Sequence, residues 1–98
     1  MTKLEIQKYD VADHLRTVEE MALYLNACIA EADGDISFIT KALGDIARAQ
    51  GMSNIAERTG LGRQNLYKAL SEDGNPSFDT ILKVTKALGI TLNARPAA

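Results

Sequence analysis

The chain has 98 residues, 46% of them hydrophobic, which leaves room for one domain with a modest core and none for a second domain. It contains no run of about 18 apolar residues and begins without the apolar stretch of a secretory signal, so we expect a cytoplasmic protein with no membrane partner. One cysteine and one histidine exclude an internal disulfide and a cluster of metal ligands, and a net charge of −2 argues against a uniformly basic surface.

The first helix is predicted to begin near Val18, after an N-terminal segment without helical periodicity. Thr17 and Glu20 have the spacing of a capping box, in which each side chain accepts a hydrogen bond from a backbone N–H. His14 has no nucleophile near it in sequence, so it is expected to be structural or solvent-facing, and we predict no enzymatic activity and no cofactor. Residues at three- and four-residue steps are predicted to face the core: Met21, Leu25, Cys28, Ile29 and Ala32.

The second helix is predicted to start at its N-cap, Asp35, and to stop at Gly51. Gly44 lies inside this helix, where glycine is about 1 kcal/mol less favourable than alanine. A close contact with another helix would explain it. The expected apolar stripe contains Ile36, Ile39, Ala42, Leu43, Ile46 and Ala47.

Two short helices are predicted next, with Ser53 as the N-cap of the first and Gly60 at its end. Ala56 is small enough for the second helix to cross closely, and Gly60 adopts a left-handed backbone without a Cβ penalty. The second short helix runs from about Arg63 to Ser71, with Leu66, Ala69 and Leu70 facing inward. Two helices around a short glycine-containing turn form a helix-turn-helix.

The fifth helix is predicted to be capped by Ser77 and to end at Gly89, followed by a short strand at Ile90 to Leu92 as an option. The fold class is therefore all-α. The expected inward residues of this helix are Phe78, Ile81, Leu82, Val84, Thr85 and Leu88.

The outward face of the fourth helix carries side chains that read base edges. Arginine or lysine pairs with guanine, and glutamine or asparagine with adenine. The N-terminal end of a recognition helix enters the major groove, so the first residues of this helix are the leading candidates. The predicted base contacts are Arg63, Gln64, Asn65, Tyr67 and Lys68. A helical bundle with a solvated polar face remains the alternative.

Phosphate contacts are predicted at two helix starts, where free N–H groups and small polar side chains favour anions. One pair is Ser53 with Asn54, and the other is Asn75 with Ser77. Both serines are also expected to cap their helices, which is the simpler role.

Charge is unevenly divided along the chain. Residues 1–35 carry three basic and eight acidic side chains (3 − 8 = −5), and residues 36–98 carry eight basic and five acidic ones (8 − 5 = +3). The two parts are expected to face different partners. Ordinary solvated helix surfaces would give the same division.

Residues 43–90 resemble the addiction-module antidote proteins, a HigA-like branch of the XRE-type helix-turn-helix family. The specific pieces are ALGDIARAQGM and LYKALSEDGNPSFDTILKV, and the N-terminal YDVADHL and ALYLNACIAEADGD also match. The resemblance implies a five-helix domain like that of lambda repressor, preceded by an N-terminal extension. It implies an antitoxin that neutralises a small RelE/ParE-type toxin and represses the shared operon, with Asn75, Pro76 and Ser77 in the phosphate loop.

We therefore predict two functional parts. Residues 1–34 form an acidic segment and helix that bind a basic toxin, and residues 35–98 form the domain that binds double-stranded operator DNA. A homodimer is expected because one recognition helix contacts about half of a site. The outer side of the fifth helix and residues 90–92 are the candidate dimer surfaces. The proposed apolar anchors for the toxin are Leu4, Ile6, Tyr9 and Leu15.

Two alternatives remain open at the level of sequence. The first is a stand-alone transcriptional regulator with no toxin, which gene order would distinguish. The second is a helical protein-interaction module with no DNA role, which a gel-shift titration would separate.

Overall fold

The computed structural model describes residues 15–71 and 73–97. Five helices run through these residues and no strand is present among them, which confirms the all-α prediction. None of these helices has the length and apolar character needed to cross a membrane. Their bounds are α1 Val18–Ala32, α2 Ile36–Gln50, α3 Met52–Thr59, α4 Arg63–Ala69 and α5 Phe78–Leu88.

Three helices begin at the side-chain caps that the sequence predicts. Thr17 Oγ1 accepts a 3.1 Å hydrogen bond from the N–H of Glu20, and Glu20 Oε1 accepts one of 3.1 Å from the N–H of Thr17. Asp35 caps α2 by accepting from the N–H two residues on, at 3.0 Å. Ser77 caps α5 by accepting from the N–H three residues on, at 3.1 Å. The predicted starts of α1, α2 and α5 are therefore confirmed.

The predicted cap of α3 is wrong. This helix begins at Met52, its N-cap is Gly51, and no side chain accepts a hydrogen bond there. Met52 is buried, so starting the helix two residues earlier places an apolar side chain in the core. Ser53 then lies within the first turn, exposed to solvent.

The core is centred on α2. Ile46 and Ala47 are fully buried, and they belong to one apolar cluster that includes residues from all five helices. Gly44 is buried beside the end of α4, where an added Cβ would lie 2.7 Å from the carbonyl oxygen of Leu70. The close contact predicted for this glycine is therefore confirmed.

Helix α1 packs mainly against α2, and a polar cluster joins the two helices. Tyr24 Oη donates a 2.9 Å hydrogen bond to Asp45, which also accepts from Arg48 at 2.9 Å and Lys41 at 3.4 Å. Burial, together with the Asp45 carboxylate, raises the pKa of Tyr24 above its ordinary value. Burial likewise raises the pKa of the Cys28 thiol, which is a core residue as predicted.

Several apolar residues predicted to face inward are exposed instead. The buried side of α5 is centred on Val84 and Leu88, so residues a quarter-turn away lie at its edge. Phe78 retains 67% of its surface and Leu82 retains 43%. No further helix among the described residues covers this edge. The residues that were predicted to face the core but are exposed are Ile29, Ile36, Phe78 and Leu82.

The optional strand at Ile90 to Leu92 is absent. Gly89 ends α5 with a left-handed backbone (φ 82°), and the N–H of Ile90 donates to the carbonyl oxygen of Thr85 at 2.9 Å. Ile90 thereby buries its side chain, whereas Leu92 is exposed. A strand requires a second strand to pair with, and the described residues contain none.

Candidate nucleic-acid interface

Helices α3 and α4 are joined by a short turn whose geometry comes from a few local hydrogen bonds. Gly60 adopts a left-handed backbone (φ 78°), and its N–H donates to the carbonyl oxygen of Ala56 at 3.0 Å. The Thr59 hydroxyl accepts from the N–H of Leu61 at 3.3 Å. Leu61 packs against the core. The turn therefore directs the chain from α3 into α4 along one path, and Gly60 has the role that the sequence predicts.

Two leucines fix the orientation of α4. Leu66 in the helix and Leu70 just after it are both buried, with 0% and 1% of their surfaces exposed. Leu70 also lies against Gly44 of α2 through its backbone carbonyl. Because both leucines point into the core, the opposite side of α4 must face solvent.

The structure places all five predicted base-contact residues on the exposed surface of α4. These residues lie on one short helix whose opposite side is anchored in the core by Leu66 and Leu70, so their side chains face solvent together. The exposed residues are Arg63, Gln64, Asn65, Tyr67 and Lys68. Their contact with bases stays a prediction.

Arg63 and Tyr67 interact across one turn of α4. The Arg63 guanidinium carbon lies 5.4 Å from the centroid of the Tyr67 ring, within the range of a cation–π contact. Neither Arg63 nor Lys68 forms an ion pair with a carboxylate in residues 15–71 and 73–97. Both cations are therefore available to an anionic ligand.

The connection from α4 to α5 folds back against the end of α4. The Ser71 hydroxyl donates to the carbonyl oxygen of Lys68 at 2.9 Å, and the N–H of Gly74 donates to that of Ser71 at 2.9 Å. A Cβ on Gly74 would collide with the carbonyl oxygens of Lys68 and Ala69. Only glycine permits this approach, which brings the connection alongside the exposed face of α4.

An open cleft of about 470 Å³ separates α4 from this connection. Asn65 and Lys68 of α4 line it together with Asn75 of the connection. The structure thus brings one predicted phosphate-contact residue next to two predicted base-contact residues. Ser77 follows two residues later at the start of α5, exposed and acting as its cap.

The other predicted phosphate pair does not share this cleft. Ser53 and Asn54 lie on the first turn of α3, and both are exposed. The first backbone N–H groups of α3 have no side-chain cap. An anion near these residues would therefore meet free N–H donors rather than a capping hydroxyl.

Of the predicted toxin anchors, three fall outside the described residues: Leu4, Ile6 and Tyr9. The fourth, Leu15, is 1% exposed, and its carbonyl oxygen accepts a 3.0 Å hydrogen bond from Gln50 Nε2. Its side chain is part of the core. It would have to leave the core to reach a partner, so the structure does not offer it as a surface anchor.

Two features were not predicted from the sequence, one beside α4 and one on α1. Gly74 was not singled out, although the Asp73-Gly74 dipeptide is a turn signal that marks the connection. The exposed Leu23 on α1, with 69% of its surface accessible, was not predicted either. Leu23 does not share the spacing of the core-facing residues of α1, and this departure could have predicted its exposure.

Residues 5–96 match a family model described as "probable addiction module antidote protein". The chain is also 51% identical over 86 residues to an uncharacterized protein of Haemophilus influenzae, covering 88% of this chain and 87% of that protein. No solved structure matches the chain. The chain belongs to the family of probable addiction module antidote proteins.

Proposed function

We propose that this protein is the antitoxin of a toxin–antitoxin pair, of the HigA-like XRE type, which binds a RelE/ParE-type toxin and represses its own operon. Membership of the antidote family supports a toxin partner in general. The observation that carries the DNA-binding half is the exposed face of α4, which presents two amides and two cations without an ion pair among the described residues, above a buried pair of leucines.

In this proposal α3 and α4 form a helix-turn-helix with α4 as the recognition helix. Arg63 and Gln64 occupy its first turn, the part that enters the major groove in such motifs. Arg63 pairs with guanine, and its contact with Tyr67 limits the conformations it samples before binding. Asn65, Tyr67 and Lys68 complete the base-contacting set.

Contacts with DNA phosphates on either side of α4 would position the helix in the major groove. Lys68 and Asn75 line one cleft, so a phosphate there meets a cation and an amide together, while the Asp73 carboxylate in the same lining opposes it. Ser77 adds the N-terminus of α5, and Ser53 with Asn54 adds that of α3. These contacts supply affinity without reading sequence.

We propose a homodimer that pairs through the exposed edge of α5. Phe78 and Leu82 are one turn apart on this edge and remain uncovered. A two-fold pairing would present two copies of α4 to one operator, as paired half-sites require.

A gel-shift titration against the DNA upstream of the protein's own gene tests the DNA-binding half. Arg63→Ala is expected to weaken binding by roughly 1–3 kcal/mol and to relax the sequence preference. Arg95→Ala is the matched control, because Arg95 is an exposed arginine in the C-terminal segment, outside the residues proposed to contact DNA or a second copy. It is expected to change binding little.

The outcomes separate three readings. Equal loss on specific and unrelated DNA would make Arg63 a phosphate contact rather than a base contact. Absence of any shift with the wild-type protein would contradict the DNA-binding proposal. An upstream or downstream gene without a small basic product would favour a stand-alone regulator.

A further inference from the structure

We propose that the outer face of α1 is the docking surface for a basic, amphipathic helix of the toxin. The outer face consists of Glu19, Leu23, Ala27, Ala30 and Glu31. The identity of the partner rests on the proposed antitoxin function. The location of the surface rests on the packing and charge of α1.

The apolar part of this face is narrow and shaped for another helix. Leu23, Ala27 and Ala30 are exposed and spaced by four and three residues, on the side of α1 away from the buried Met21 and Leu25. Among the residues that the structure describes, Leu23 is the most exposed large apolar side chain, at 69%. The two alanines beside it let a second backbone approach closely, while the leucine supplies a side chain to bury.

The charge around the apolar strip is of one sign. Residues 17–40 contain five carboxylates and no basic residue. Glu19 and Glu31 lie at the two ends of the strip, about 18 Å apart along the helix axis. Neither they nor Asp33 form an ion pair within the part of the chain that the structure describes. A partner with apolar residues at its centre and basic residues at both ends complements this arrangement.

A second copy of the chain complements this face poorly. In a two-fold pairing the same patch contacts itself. Glu19 of one copy would approach Glu31 of the other if the two α1 helices are antiparallel, or Glu19 of the other if they are parallel, and no basic residue on α1 would compensate. Like charges that face each other disfavour the contact, so the face selects a different and basic partner.

The polar cluster behind α1 prepares this face for binding. Tyr24 donates to Asp45, which two cations of α2 also hold, so α1 is fixed against α2 on its inner side. The capping box at Thr17 fixes its start. A helix that is already ordered loses little conformational entropy when the partner docks.

The test uses the full chain and the protein encoded by the adjacent small basic reading frame, each purified, with affinity measured by calorimetry. Ala27→Arg with Ala30→Arg blocks the close approach and reverses the charge, and it is expected to weaken binding at least about 100-fold. The matched control is Ala94→Arg with Ala97→Arg in the exposed C-terminal segment, which adds the same two charges elsewhere. It is expected to change affinity less than about threefold, on the scale of a rim charge.

A second variant isolates the charge. Glu19→Lys with Glu31→Lys is expected to slow association about tenfold at low salt, with a smaller effect at high salt, because rim charges act mainly on the encounter rate. Circular dichroism checks that each variant folds. Should the double arginine variant fail to fold, Leu23→Lys replaces it, since that side chain makes little contact within the monomer.

Three outcomes overturn the proposal, and each is distinct. If wild type and both α1 variants bind the neighbouring protein equally well, this face is not the docking surface although the antitoxin function stands. If wild type forms no complex, the antitoxin function itself fails. If the arginine variant alone halves the mass of the free protein in light scattering, the face joins two copies of this chain.

Discussion

Gly44 has no Cβ, and this allows α2 to pack closely against the end of α4. An alanine there gains about 1 kcal/mol in helix propensity, but its Cβ would lie 2.7 Å from the carbonyl oxygen of Leu70. Backbone cannot move aside as a flexible side chain does. We expect Gly44→Ala to lower the free energy of urea unfolding by about 1–3 kcal/mol, the range for overpacking a core.

Gly62→Ala is the matched control for this prediction. Gly62 has an ordinary backbone conformation at the start of α4 (φ −67°), and an added Cβ would make only a 3.5 Å contact with Asn65. The loss of a tolerated N-cap residue is expected to lower stability by less than about 1 kcal/mol. Equal losses in the two variants would contradict the role assigned to Gly44.

Tyr24 gives the α1–α2 contact a pH dependence. Tyr24→Phe removes the hydrogen bond to Asp45, which keeps Lys41 and Arg48 as partners, so at pH 7 we expect a loss of about 1 kcal/mol. Because the pKa of Tyr24 is raised in the folded state, its stabilising contribution is complete below the ordinary tyrosine value of about 10. Above that pH the unfolded chain ionises first, and the contribution declines.

Urea unfolding of both proteins between pH 7 and pH 11 measures this effect. The stability difference between wild type and Tyr24→Phe should stay constant up to about pH 9 and shrink above about pH 10. A difference that stays constant over the whole range would show that the phenol is not held in its neutral form by the fold.

At the scale of the element, the two serines at helix starts differ in what they contribute. Ser77 accepts the hydrogen bond of a free N–H in α5, whereas Ser53 accepts none in α3. We expect Ser77→Ala to lower unfolding free energy by about 1 kcal/mol and Ser53→Ala to change it by less than about 0.5 kcal/mol. Chemical denaturation of the two single variants compares them directly. If Ser53→Ala lowered the unfolding free energy more than Ser77→Ala, Ser53 would be the N-cap of α3 after all, as the sequence predicted.

The helices were predictable where one local signal decided the outcome. The capping box at Thr17 and the cap at Asp35 depend on residues within one turn, and both form as predicted. The start of α3 depends instead on burial of Met52 by residues distant in sequence. Phe78 has the period of a core residue, but only the arrangement of the other helices decides that its edge of α5 is left uncovered.

The candidate interface was predictable for a similar reason. Leu66 and Leu70 define the inner side of α4 by their spacing, so the outer side followed from sequence. The approach of the α4–α5 connection did not follow, since it depends on the contact between Gly74 and two carbonyl groups at the end of α4. Leu15 shows the opposite case, because a residue near the terminus was assigned to a partner and lies in the core.

At the scale of the whole molecule, the net charge of −2 means that the proposed DNA binding would depend on two copies acting together. In the proposed complex only a few cations of each copy contact the duplex, so one copy alone would gain limited affinity from phosphates. Phe78→Lys with Leu82→Lys places two like charges on the uncovered edge of α5, where a second copy is proposed to pack, so the charges of two paired copies would repel each other. We expect this variant to be monomeric by light scattering and to bind operator DNA at least about tenfold more weakly.

The control for the dimer prediction is Ile36→Lys, which adds a charge at an exposed apolar residue on a different helix. It should leave both the mass and the gel shift unchanged. Phe78 and Leu82 contribute little to the monomer core, so the edge variant should retain its helical content, and weaker DNA binding then reports the loss of pairing. If the variant stays dimeric, the dimer interface does not lie on this edge of α5. If it is monomeric and binds DNA as tightly as wild type, one copy of α4 recognises the operator alone.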